Sequence, residues 1–319
     1  MSDTIHAQSS DQLFWQALEA KNLQTIEHNL PAYLAATILL TCPDENLPTV
    51  EQLGFGGKWI AAVFSDGRSG RAFAFNEAHA VYGDIPSNAV NNLGSVIDMP
   101  ADQAIASFLC QTTKATDPAE QMLYFSAALA LGNALSSKLN HPEALHKRGF
   151  EILESSDCSF LQPNDQVVLI GAGMLLNDAA NRCRAVDVID MRPVSALQTV
   201  VFSSQSSEIG PRNVRFHDPS KTPELLAQAD VVGITGCAFA NGSLFDLIPQ
   251  AHKAREIVLF GPSAQLPMEL IAQLGVTKVL TSCEENGNKL LTRLKAAYER
   301  GVPNEGMRSY LVSLPPFRH

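Results

Sequence analysis

No two of the six cysteines, Cys42, Cys110, Cys158, Cys183, Cys237 and Cys283, form a CxxC pair. That absence argues against a disulfide framework or a structural zinc site and for reduced thiols in a cytoplasmic protein. Basic residues are outnumbered 23 to 33 by acidic ones, the formal net charge is -10, and no basic run is present. Nucleic acid is therefore not an expected partner. The N-terminus lacks the cationic, apolar, small-residue order of a signal peptide. The apolar run YLAATILL (33–40) is too short to span a bilayer and reads as a buried strand or core segment, so no membrane partner is expected. With no G-x-S-x-G elbow and no Ser–His–Asp order, hydrolase chemistry lacks support, and no internal repeat stands out.

What is present is a chain of 319 residues, 45% hydrophobic and 18% charged, enough for two domains with a core each. The expected division is 1–150 and 151–319, with the join between about 150 and 163, where charged, Ser, Pro and Asn residues cluster. In the first part, SSDQLFWQALEAKNL has helical spacing after Ser10 or Asp11 as cap. KWIAAVFSDGRSGRAFAFN reads as a hairpin turning at Asp66-Gly67. DPAEQMLYFSAALALGNALSSKLN is the clearest helix, with Asp117 as cap, Pro118 first and Glu120 completing a capping box. This part reads as α+β.

In the second part six short apolar runs, 167–170, 186–189, 214–216, 231–234, 257–260 and 276–280, alternate with helical or loop segments. Such runs mark a parallel sheet covered by helices on both faces, a Rossmann-like α/β fold. The stretch SSQSSEIGPRN (203–213) reads as an exposed loop, and YLVSLPPFRH is a tail that the pattern does not place.

Ligands of such sheets bind beyond the strands' carboxyl ends, so the residues that follow each strand are the candidates. After the first strand, Gly171, Ala172 and Gly173 allow a tight turn, but Leu176 replaces the third glycine of the dinucleotide pattern. Asp190, 19 residues after Gly171, stands where an acid would take ribose hydroxyls. Two readings stay open: a nucleoside-type ligand such as S-adenosylmethionine or a nicotinamide nucleotide, or a plain strand-to-helix turn with a solvated acid. After the fourth strand, Thr235, Gly236, Cys237, Asn241, Gly242 and Ser243 crowd together, and Ser243 with Asp246 has a capping pattern. Ser263 follows the fifth strand in a Gly261-Pro262-Ser263 turn. Cys237, His217, Cys283, Asp218 and Glu284 all follow strands and could converge on a divalent metal, although none has metal-ligand spacing and His141 and His146 are five apart.

The segment ADVVGITGCAFANGSLFDLIPQAHKAREIVLFGPSAQLP resembles the Rossmann-like domain of the heavy-metal-chelation family. The matching positions are Asp230, Thr235-Gly236, Asn241-Gly242-Ser243 and Gly261-Pro262-Ser263. GRSGRAFAF and LALGNALS, with Asn133, are similar to the enolase-N-terminal-like domain that often precedes it. The resemblance implies a ligand cleft between the two domains, and an enzyme that makes or modifies a metal-chelating metabolite there, with a methyltransferase-like Rossmann site. In that reading Thr235, Asn241 and Ser263 orient the substrate, while Gly171, Ala172, Gly173, Asp190, Gly236 and Gly242 hold a nucleoside cofactor. Asp190, His217 and Asp218 are the candidate bases. The alternative is a non-catalytic protein binding a metal or metal complex through Cys237, His217 or Cys283; a weaker one is an NAD(P)-dependent oxidoreductase. Two features depart from the family: the Gly-Ala-Gly turn, in place of a bulkier His-Phe-Pro-like stretch, and a longer link between Asp190 and Asp230. Both lie at the implied site and point to a changed ligand or activity. A homodimer is compatible with the composition.

Overall fold

The computed structural model describes residues 8–44, 46–56, 59–74, 87–192, 197, 200–202, 204–210, 213–284, 290–292 and 307–315. The leading part contains α1 (Ser10–Ala20), α2 (Leu30–Thr41), β1 (Val50–Gly56), β2 (Trp59–Phe64), β3 (Ser69–Phe73), α3 (Ser87–Asn92), α4 (Ala101–Lys114), α5 (Pro118–Ser136) and α6 (Pro142–Lys147). The residue capping α1 is Ser9 rather than Ser10 or Asp11. The run 33–40 lies inside α2, not in a strand: Asn29 caps it by accepting the Ala32 N–H at 2.9 Å, and its side chains are buried up to Ile38. An apolar run without alternation leaves helix and strand undecided, and here tertiary burial decided. β1, β2 and β3 form an antiparallel sheet, with β2 and β3 joined at the expected turn, where Gly67 has φ +80°. Asp117 caps α5 by accepting the Ala119 N–H at 2.8 Å.

The second part contains β4 (Glu151–Glu154), β5 (Gln166–Ile170), α7 (Leu176–Arg182), β6 (Ala185–Ile189), β7 (Val200–Phe202), β8 (Ser207–Ile209) and β9 (Val214–His217). It continues with α8 (Thr222–Leu226), β10 (Val231–Thr235), α9 (Leu244–Gln250), β11 (Glu256–Phe260), α10 (Met268–Gln273), β12 (Lys278–Glu284) and β13 (Met307–Ser313). Among the described residues, eight strands make one sheet in the order β4-β13-β12-β11-β10-β5-β6-β9. The run from β12 to β9 is parallel, while β13 pairs antiparallel with both β12 and β4. The chain moves outward from β5 through β6 to β9, then returns to β10 on the other side of β5, so the order reverses between β5 and β10.

Three expectations are corrected. The sixth parallel strand runs to Glu284, so Thr281, Ser282, Cys283 and Glu284 are strand residues paired with β13 rather than a loop. Tyr310 to Ser313, in the unplaced tail, belong to β13 inside the sheet. Ser207 to Ile209, taken as loop, pair with β7 as a two-stranded ribbon. Ser and Glu there hide the strand from a hydrophobicity count.

Alternation along the central strands divides two cores. Val167 and Leu169 pack with Val186, Val188 and Leu175 on one face. Val168, Val232, Ile234 and Leu259 join the other core, which runs on without a break into α2, β2, α4 and α5. The leading part thus covers one face of the large sheet. Tyr33 of α2 makes ring contacts with Phe239 and Phe245, at centroid distances of 6.5 and 5.3 Å, across that contact. Two glycines allow the layers this close. A Cβ on Gly132 of α5 would lie 2.4 Å from a Leu34 methyl, and one on Gly70 of β3 would lie 2.3 Å from the Ala134 nitrogen. Backbone has little room to yield, so Gly70→Ala is expected to lose about 1–3 kcal/mol of stability. Urea unfolding of the variant beside the parent protein measures it.

Candidate functional site

The reversal between β5 and β10 brings part of the expected set together. Gly171, with φ +89°, turns the chain beneath Thr235, whose Cγ2 would lie 3.1 Å from an added Cβ. Asp190 is fully engaged by the protein itself. Its Oδ2 accepts the Ala172 N–H at 2.7 Å and Arg192 Nη2 at 2.8 Å. Its Oδ1 accepts the Arg192 N–H at 2.9 Å and Nε at 3.0 Å. Arg192 Nη2 also reaches the Ala172 carbonyl at 3.1 Å. The carboxylate that would take a ribose is therefore closed by a guanidinium folded over the glycine turn. Burial acts to raise the Asp190 pKa, but the Arg192 hydrogen bonds, the two backbone N–H groups and the guanidinium charge outweigh it and hold the carboxyl below its usual range.

The crowded stretch after β10 is mostly occupied with its own turns. Thr235 Oγ1 accepts the Cys237 N–H at 3.4 Å. Asn241 Oδ1 takes both the N–H and the hydroxyl of Ser243, at 3.1 and 2.7 Å, across Gly242 with φ +72°. The Ser243 hydroxyl is thus spent on Asn241 and makes no cap bond to α9, contrary to the capping pattern. Gly236 has a packing reason: an added Cβ would lie 2.6 Å from the Ala264 nitrogen. Ser263, 2% exposed, accepts the Phe73 N–H of β3 at 2.9 Å. Its carbonyl accepts Asn133 Nδ2 of α5 at 3.2 Å, and the same Nδ2 donates to the Arg71 carbonyl at 2.9 Å. Ser263 therefore joins the two sheets. What remains open at this rim is an apolar cavity of about 150 Å³ among Trp59, Met174, Thr235, Cys237, Phe260 and Ser263. Burial, before any other influence, raises the Cys237 pKa, which keeps a neutral thiol at this floor.

The candidate metal ligands are not brought together. Cys237 follows β10 and His217 ends β9, three strand places apart, roughly 14 Å at ordinary sheet spacing. Cys283 lies on β12, five places from β9, roughly 24 Å by the same spacing. His217 Nε2 is engaged with Asp187 Oδ1 at 2.7 Å, and Asp218 caps the turn that follows it by accepting the Ser220 N–H at 2.9 Å. Among the described residues no three His, Cys, Asp or Glu side chains form a group that could hold a metal ion.

A larger cavity, about 420 Å³, opens elsewhere between the two parts. One wall is the β2–β3 turn, β3 and the α5–α6 junction, with Arg68, Arg71, Lys138, His141 and Lys147; the other is β12 and β13, with Cys283 and Glu284. Arg71, 4% exposed, lies with its guanidinium 4.8 Å from the centroid of the Trp59 ring, and its Nη2 donates to Met307 Sδ at 2.9 Å. Of the sequence candidates only Cys283 lines this cavity, together with Glu284. The residues of its first wall were missed because they follow no parallel strand. The signal that could have found them is the density of Lys and His in SSKLNHPEALHK, at the close of the clearest helix.

These features define a class: a Rossmann-like sheet with a smaller antiparallel unit laid on one face and a cleft between them. The chain belongs to the DUF364 family, described as "putative heavy-metal chelation", whose model matches residues 154–313. Two crystal structures of DUF364 proteins of unknown function have a similar fold. That from Desulfitobacterium hafniense is 14% identical, with a TM-score of 0.60 over 95% of this chain and 98% of its own. That from Pyrococcus horikoshii is 16% identical, with a TM-score of 0.58 over 96% of this chain and 99% of its own. No curated protein matches the chain. Among the described residues no helix is long and apolar enough to cross a membrane.

The Asp190 clamp carries a pH signature. A carboxyl whose folded pKa is depressed contributes stability above its unfolded value, about 3.9, and loses it as pH falls through the folded value. Asp190→Asn is accordingly expected to cost most stability at neutral pH and less at about pH 3. Urea unfolding of both proteins at the two pH values tests this, and an equal cost at both would remove the clamp's electrostatic role.

Proposed function

We propose that the protein binds a small metal-chelating metabolite, free or metal-loaded, in the cleft between its two parts, and makes or modifies it there in the cytoplasm. The observation that carries this reading is the cavity of about 420 Å³ lined from both parts. Its size falls among small-molecule sites, about 300–1,000 Å³. Family membership supplies the connection to chelation. Metal arrives with its chelator in this reading, because the described side chains form no group of three donors. His141, an imidazole on the cleft wall, is the candidate for proton transfer. A nucleoside cofactor, S-adenosylmethionine or NAD(P), would have to displace Arg192 from Asp190 before its ribose could bind at the glycine turn.

A second reading, sequestration without catalysis, draws on Cys283 and Glu284, which contribute a thiol and a carboxyl to the cleft. Elemental analysis separates the two: stoichiometric metal retained by the purified protein, and lost in Cys283→Ser, would favour sequestration.

The cleft itself is tested by filling it. Ala144→Trp places an indole on its wall. A thermal-shift panel of S-adenosylmethionine, NAD(P), divalent metals and metal-chelator complexes is expected to give at least one ligand that stabilises the parent. At one hundred times its dissociation constant the gain is about 2.7 kcal/mol. The Trp variant, folded but unresponsive, is the expected result; an undiminished response would move the site elsewhere.

A further inference from the structure

We infer that the ligand of this cleft is an aminocarboxylate, a molecule presenting a carboxylate to one wall and a protonated amine to the other. The inference rests on the cleft reading above and adds the substrate class.

Charge is the first ground. The whole chain carries a net charge of -10. The described lining of the cleft reverses that sign, with Arg68, Arg71, Lys138 and Lys147 against Glu143 and Glu284, four cations to two anions. A cavity of opposite sign to its own protein concentrates anions at its mouth.

The arrangement of the charges is the second ground. The four cations all belong to the leading part, whereas the β12 wall brings Glu284 and the Cys283 thiol. The cations are not equally available. Arg68 Nε is paired with Asp66 Oδ2 at 2.7 Å, and its Nη1 reaches the Thr41 and Leu135 carbonyls. Lys138 shares that carboxylate at 3.4 Å and is 63% exposed. Lys147 is exposed and has no ion pair among the described residues, which makes it the foremost partner for a carboxylate. A dicarboxylate without an amine would set like charge against Glu284. A polyamine would meet the same penalty at Lys147 and Arg71. A zwitterion satisfies both walls. Asn140 sits in the lining between them, 2% exposed, and donates its amide hydrogens to the Gln265 and Leu266 carbonyls. Its Oδ1 has no donor among the described residues, a further acceptor in a lining otherwise rich in donors.

Iminodiacetate and glutarate test the assignment cleanly, because they differ only in a protonated –NH₂– against a –CH₂– at the centre of the same dicarboxylate. Titration calorimetry in metal-stripped buffer at neutral pH is expected to show iminodiacetate binding about tenfold tighter than glutarate. Glu284→Gln is expected to bring the two within about twofold of each other, whereas Lys147→Ala weakens both by a similar factor. Equal binding of the two probes to the parent protein, or no binding of either, overturns the assignment. If neither probe binds while another ligand stabilises the parent and not Ala144→Trp, the aminocarboxylate assignment falls and the cleft reading stands. If no ligand distinguishes the parent from Ala144→Trp, both fall.

Discussion

One carboxamide holds the two sheets of this protein in register. Asn133, fully buried in the middle of α5, donates to the carbonyls of Arg71 on β3 and Ser263 after β11, while the Ser263 hydroxyl accepts the Phe73 N–H. Hydrogen bonds of this kind contribute modestly when made and cost much more when one partner is removed from a dry interior. The backbones must also come unusually near, which Gly70 against Ala134 and Gly236 against Ala264 permit. Both cavities border this seam: Ser263 lines the small one and Arg71 the large one. The shape of any ligand site therefore depends on a contact that no ligand touches.

Much of the large sheet was legible in the sequence because a parallel strand buried on both faces must be continuously apolar. Val167 to Ile170 and Ile257 to Phe260 are of that kind, and the structure has strands there. The Asp66-Gly67 hairpin and the Asp117 cap were legible for local reasons, since both depend on backbone chemistry within a few residues. β4 and β13 were not. Glu, Ser and Arg interrupt them, and their pairing is with partners far along the chain, which no local pattern reports.

The site was legible only in part, for a related reason. The rule that ligands gather at the strands' carboxyl ends found Gly173, Thr235, Gly236, Cys237 and Ser263, which do line one small cavity. It could not anticipate that Asp190 would be taken by Arg192, two residues along, or that Asn241 would serve Ser243. Polar residues next to a turn satisfy themselves first, and only three-dimensional bookkeeping shows what is left for a ligand. Nor could the rule find the larger cleft, whose cations come from the end of α5 and from α6, outside the Rossmann-like part altogether.

The insertion of β13 between β12 and β4 has a consequence for biogenesis. β4 is made early, at Glu151–Glu154, yet its hydrogen-bonding neighbour is Met307–Ser313. While the chain emerges from the ribosome, that early strand has no partner in the sheet until almost everything between has been synthesised, and pairings so distant in sequence form slowly. A nascent-chain holdase that masks this edge during translation would suit such a topology better than one acting after release.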